Sequence, residues 1–363
     1  MRRFTIALAV SAAFIGLAAG PALACGGLIG RNGSVNLVRT TTLAAYHAGV
    51  EHYVTAFQFA GAGGEFGSII PLPGVPTSVE RGGDWTLQRL VREVAPPVEA
   101  FATARVSAAA GMDEAEVLLE KRIDALDVTV LKGGAKAVGD WATEHGFLLT
   151  PDTPAVLDFY AGRSPIFLAA RFNAEAAQQR GVALGDGTPV HLAIPTDNPW
   201  VPLRILGVGL QKGERVAADV FLLTDQKPSL LPGDNAPGLT LARQEKASPR
   251  LLSDLRSDKG MSWVPASSWL TYLKVDAVPT DLTYDLAVDA TGSGKASPVA
   301  AGLLPAPAGA AATTVVTGAA ATGTGGTGGG LWWALVLGVG LAVVVLAVGI
   351  GILVSRDGAS AAA

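Results

Sequence analysis

The chain's single cysteine, Cys25, directly follows the small-residue tripeptide Ala22-Leu23-Ala24. Cleavage after Ala24 would make Cys25 the first residue, with its own α-amine beside its thiol. N-terminal nucleophile hydrolases use that arrangement, the amine serving as the base that activates the side chain. The Gly26-Gly27 that follows adds little to the idea. Lipid attachment to the thiol is the competing chemistry, but Ala22 stands where such sites usually place a larger aliphatic residue, three positions before the cysteine.

The histidines offer a second chemistry. His47 and His52 flank Ala48-Gly49, and a two-residue turn there places both imidazoles on one face of a hairpin, roughly 7 to 8 Å apart on the diagonal. A metal pair is conceivable, yet zinc takes three or four ligands, and the one nearby carboxylate, Glu51, faces the other way. The expectation is therefore two solvent-exposed hairpin residues, with no metal and no cofactor. His145 ends a helix, where a cation complements the dipole, and His191 sits in a strand. Neither has a partner visible in the sequence.

Other motifs fail on position. Gly294-Lys295 in TGSGKAS has the look of a phosphate loop, but Asp289 stands where the first glycine is required and Ala296 where Ser or Thr is. No G-x-S-x-G elbow occurs, so an α/β-hydrolase serine has no support. With no assembled acid, base, nucleophile or metal set, the expected function is non-catalytic binding or support of the envelope. An exported hydrolase using Cys25 and an accessory subunit of a membrane assembly stand as alternatives. Loss of Arg2 and Arg3 with a leader leaves 25 of the 27 basic residues against 31 acidic ones, a balance of −6. Nucleic acid, which selects a concentrated basic patch, is excluded as a partner.

The ends of the chain specify where such chemistry would operate. Arg2-Arg3, an apolar run from Phe4 to Ala19 and the Ala22-Leu23-Ala24 site follow one another as the three regions of a secretory signal peptide, residues 1–24. Leu331 to Val354 carries no charge, which gives enough helix to cross a bilayer. Trp332 and Trp333 at its start suit the headgroup level, and Arg356 after its end suits the cytoplasm. The chain is thus expected in the cell membrane as a single-pass protein, its body outside and the tail 355–363 inside. The lipid bilayer is the expected partner of the helix, together with an envelope partner that the sequence does not name. One cysteine leaves no intrachain disulfide, so the fold rests on burial.

The elements between these ends are short. Val35–Thr42, Tyr53–Phe59 and Phe66–Pro71 read as a β-meander. Asp84 suits the N-cap of a helix running to Val94, with Leu87, Leu90, Val91 and Val94 on one face. Strands follow at Val117–Ile123 and Val128–Leu131, then helices from Ala135 to His145 and from Pro154 to Tyr160. Further strands are expected at Ile166–Phe172, Val190–Pro195, Leu203–Val208, Val216–Leu223, Trp269–Val275 and Leu282–Val288, with a Pro/Gly-rich loop before Trp269. The predicted class is α+β, mainly antiparallel sheet with a few short helices, in a body spanning residues 25–290 that one domain or two subdomains would fill. Residues 291–330, rich in Ala, Gly, Thr and Pro, read as a flexible tether.

Five segments in one order, CGG after the leader, IIPLPGVP, WATEHGFLL, LDFYAGRSPIFLAARF and IPTDNPWVPLRI, resemble the bacterial family called domain of unknown function 2330. The resemblance spans about Cys25 to Asp225. It implies exported or membrane-attached proteins with no established activity or catalytic residues. Such proteins often carry a second cysteine a few residues after CGG, whereas this chain reads CGGLIG. On that resemblance, Cys25 is what remains of a family disulfide.

Overall fold

The computed structural model describes residues 28–30, 36–60, 66–94, 116–172, 188–233 and 236–307. Cys25, the Ala22-Leu23-Ala24 site, Trp332, Trp333, Arg356 and the expected membrane helix lie outside the described residues. Within them, no helix is long and apolar enough to cross a membrane.

The chain runs β1 (Leu28–Gly30), β2 (Asn36–His47), β3 (Val50–Ala60), β4 (Phe66–Pro71), β5 (Ser78–Arg81), α1 (Thr86–Val94), β6 (Glu116–Ile123) and β7 (Leu126–Lys132). It continues through α2 (Ala135–Glu144), α3 (Thr153–Ala161), β8 (Ile166–Phe172), β9 (Val190–Pro195), β10 (Trp200–Val201) and a 3-10 turn at Arg204–Gly207. β11 (Val216–Thr224), β12 (Ser229–Leu231), β13 (Leu239–Lys246), α4 (Pro249–Ser257), β14 (Trp269–Ala277) and β15 (Leu286–Asp289) complete it. The strands form a seven-stranded sheet in the order β13-β14-β11-β2-β3-β9-β5, a five-stranded sheet β1-β4-β8-β7-β6 and a three-stranded sheet β10-β15-β12. Every pairing is antiparallel except β2 with β11. The class is α+β and mostly antiparallel.

The turn between β2 and β3 is the tight one the sequence implies. Ala48 and Gly49 both have positive φ, 50° and 80°. That backbone twist matches the twist of the strands it joins, and it fixes the register at His47 opposite Val50. From there the side chains alternate along the seven-stranded sheet. Ala44, Tyr53, Val220 and Leu222 enter a large core shared with the five-stranded sheet and helices α2 and α3. Leu43, Ala45, Val54, Phe221 and Leu223 face the other way, onto α1 and α4 through Leu87, Leu90, Leu251, Leu252 and Leu255. One sheet therefore has a core on both faces, so polar residues on either face are held among packed side chains.

Four expectations are corrected. Leu203–Val208 is a 3-10 turn and not a strand, because its backbone donors are taken elsewhere. Leu203 and Arg204 donate to the Asp285 carboxylate, and Ile205 donates to the Tyr160 hydroxyl. The stretch before Trp269 is not all loop: it holds β12, β13 and α4, the last opened by Ser248, whose side chain accepts from the Leu251 N–H, and by Pro249. Strand β15 begins at Leu286, since residues 278–282 turn through bonds from the Asp281 and Leu282 N–H groups to Val278 and Pro279. The expected tether is not loose at its near end. Ala300 and Ala301 are buried, the Ala301 carbonyl accepts from the Asp285 N–H, and the Arg163 guanidinium reaches the Ala300 carbonyl at 2.5 Å.

Candidate functional site

His52 and His191 lie on neighbouring strands, β3 and β9, whose register sets His52 opposite Ala193 and Val54 opposite His191. The two histidines are thus diagonal neighbours on the face that packs on α1 and α4. His52 Nδ1 and His191 Nε2 are 3.0 Å apart, with the rings 5.2 Å apart at their centroids and 18° from coplanar. Trp263, from the loop between α4 and β14, stacks on both: 4.1 Å and 5° from His52, 5.0 Å and 18° from His191. His191 is buried and His52 half-buried.

Burial, more than the charge of neighbouring histidines, lowers both imidazoles to about 4. Each is therefore neutral at pH 7 and keeps one lone pair. One proton lies between the facing nitrogens, while His191 Nδ1 and Trp263 Nε1 are buried without a hydrogen-bond partner among the described residues. The arrangement resists an added proton near neutrality and offers nitrogen ligands to a cation that needs few of them.

His47 does not join this pair. It turns to Asp225, just beyond β11, with Nδ1 2.8 Å from both carboxylate oxygens at the exposed end of the hairpin. The partner of His52 is His191, which no local spacing links to it, since 139 residues separate the two. His145 stacks on Trp141 at 3.7 Å and bonds that residue's carbonyl. Among the described residues, no group of three or more His, Cys, Asp or Glu could hold a metal ion.

Glu51 faces away from His52, as the alternation requires, into the large core. Its Oε2 accepts from the Trp200 N–H at 3.2 Å, and its Oε1 has no partner among the described residues. Burial pushes its carboxyl up to about 8, so it is protonated at neutral pH. The same core holds a small cavity between the two larger sheets, lined by Thr40, Thr42, Tyr53, Thr55, Ile69 and Leu206 among others. The Thr42 and Thr55 hydroxyls bond each other there at 3.0 Å.

Three further carboxylates are saturated acceptors. Asp285, fully buried, takes bonds from Arg163, the Tyr160 hydroxyl and two backbone N–H groups. Asp289 takes bonds from Thr291, Ser293, Gly294 and Lys295, which makes the TGSGK segment a closed loop folded around its own carboxylate and not a phosphate cradle. Asp258 binds the first turn of α1.

No curated protein matches the chain. Among solved structures, the crystal structure of baculovirus P35 is similar at a TM-score of 0.39 and 10% identity, covering 71% of this chain and 97% of that one. The structure of a mutated baculovirus P35 after caspase cleavage gives 0.35 and 10%, covering 69% and 99%. A family model, that of an uncharacterized protein conserved in bacteria, DUF2330, matches residues 19–222. That match takes in more than half of the chain and contains both imidazoles of the pair, so this protein is a member of the DUF2330 family.

Proposed function

We propose that this protein is a membrane-anchored, extracytoplasmic binding module of the bacterial envelope that performs no catalysis. The use made of its buried carboxylates carries the reading. Asp258, Asp285 and Asp289 each accept four or more hydrogen bonds from loop and side-chain donors. A carboxylate so occupied holds a loop still and is a poor general base, because its lone pairs are already committed. The rigid body this produces suits presentation of a fixed surface. The leader at residues 1–24 and the uncharged apolar run Leu331–Val354 support its display outside the membrane, N-terminal domain out and tail in.

Protease applied to intact cells tests the placement, with fractionation and alkaline extraction of the membranes. Digestion of the body together with retention in the extracted membrane is the expected result, and an untouched protein in the soluble cytosol overturns the placement. Hydrolytic turnover by the purified protein that Cys25→Ala abolishes would replace the binding module with the hydrolase reading.

A further inference from the structure

The separation of the His52 and His191 ring centroids, 5.2 Å, is close to the 3.0 Å nitrogen–nitrogen gap plus one ring radius on each side. The two nitrogens therefore lie on the line joining the rings, and their in-plane orbitals point at one another. The indole of Trp263 is nearly parallel to both rings. The three centroid separations put the midpoint between the imidazoles about 3.8 Å from the indole centroid, inside the range at which a ring face attracts a cation.

We propose that this is a two-coordinate site for a soft monovalent metal ion, Cu(I), held between His52 Nδ1 and His191 Nε2 over the face of Trp263. Imidazole nitrogen suits copper, and a closed-shell monovalent ion accepts linear coordination by two ligands. Zn²⁺ would need a third and a fourth ligand. Metal–nitrogen bonds of about 2 Å require the gap to open from 3.0 Å to about 4 Å. Trp263 lies on a loop and His52 is only half-buried, so the side of the site that must yield is its outer one.

No proton is released on loading. In the empty site one of the facing nitrogens carries the shared hydrogen. In the loaded site each imidazole stays neutral with its N–H on the far nitrogen, His52 Nε2 and His191 Nδ1, and the ion brings a single positive charge. In the loaded site His191 Nδ1, buried and without a partner among the described residues, is a donor whichever ring held the shared hydrogen before. Glu80, directly opposite His191 on β5, is the carboxylate placed in register to receive it, as outer-shell groups commonly do for metal-bound histidine.

The inference goes beyond the envelope-module reading and is tested separately from it, on purified full-length protein in detergent. A Cys25→Ser background removes the thiol as a ligand. Ag(I), and Cu(I) supplied anaerobically against a chromogenic chelator, serve as probes. One ion per chain should survive desalting, with quenching of tryptophan fluorescence. His52→Ala should lose the ion while keeping its far-ultraviolet circular dichroism, and Trp263→Phe should keep the stoichiometry with affinity weakened about 3- to 30-fold. Should the alanine variant unfold, ¹⁵N spectra of the unsubstituted sites decide: Ag(I) must shift His52 Nδ1 and His191 Nε2 and leave His145 in place. Absence of a retained ion, retention undiminished in folded His52→Ala, or nitrogen shifts at other histidines would overturn the site.

Discussion

Asp258 caps a helix that begins at Thr86, 172 residues before it in the chain. Its Oδ2 accepts from the Trp85 and Thr86 N–H groups and from the Thr86 hydroxyl, and the Asp84 N–H reaches both of its oxygens. The first turn of an isolated helix leaves its N–H groups unpaired, and a carboxylate there also meets the positive end of the dipole. A residue from the α4–β14 loop thus does for α1 what a local cap ordinarily does. Asp84, which the sequence nominates for that role, pairs with Arg81 instead.

Asp258→Ala should therefore cost about 2–4 kcal/mol in urea denaturation, since a buried, charge-assisted cap with several donors is lost at once. Asp84→Ala, which removes only a half-exposed ion pair, should stay within about 0.5 kcal/mol. Equal effects from the two substitutions would return the cap to Asp84.

The same reasoning applies inside the larger core. Arg163 and Asp285 form a buried ion pair, with the guanidinium 4.1 Å from the Phe159 ring centroid and also bonded to the Ala300 carbonyl. Burial already raises the Asp285 carboxyl above its usual range, and Arg163→Leu strips it of its buried counter-ion, which should cost about 3–5 kcal/mol. It should also release the segment around Ala300, seen as new cleavage near residues 297–302 in limited proteolysis. Lys136→Ala, which removes an exposed pair with Asp140, should stay within about 0.5 kcal/mol and leave the cleavage pattern unchanged.

These two relationships show which parts of the structure were legible in the chain. Local signals are legible: the Ala48-Gly49 turn, the strand Ile166–Phe172 and the helix that opens at Ala135 depend on neighbours in sequence. Ser248-Pro249 followed by Leu251, Leu252 and Leu255 was an equally local helix signal that the Pro/Gly-rich surroundings obscured. What could not be read were pairings closed by topology. His191 meets His52 only because β9 inserts between β3 and β5, and Trp263 reaches them only because α4 folds back onto the sheet. The 3-10 turn at Arg204 likewise depends on Asp285, about 80 residues later, and no spacing rule connects them.

Glu51 should give the protein an alkaline weakness. Unfolded, the carboxyl ionises near 4.5, whereas burial raises the folded value to about 8. The folded state thus holds the proton more tightly, so stability is complete below pH 4.5 and is lost as pH rises to 8. Glu51→Gln keeps an oxygen for the Trp200 N–H without an ionisable group. It should be more stable than the parent by about 2–4 kcal/mol at pH 8 and nearly equal to it at pH 4.5, measured by urea titration at each pH. A constant difference at both values would show that Glu51 does not carry the dependence.

The imidazole pair should set the opposite limit. An unfolded histidine takes its proton near 6.5, while His52 and His191 resist protonation to about 4 because burial disfavours the charged ring. The pair's contribution is therefore fully present above pH 6.5 and falls away as pH drops to 4. A second proton is harder to place than the first, because the facing nitrogens share one hydrogen across 3.0 Å and two imidazolium ions there would repel. Urea midpoints recorded from pH 7 to pH 4 should fall steadily, and His191→Phe should flatten that limb while keeping an aromatic ring against Trp263. His47→Ala, which removes an exposed side chain, should leave the limb nearly unchanged. If His47→Ala flattens the acid limb and His191→Phe does not, the titrating group is the hairpin histidine and the buried pair is only packing.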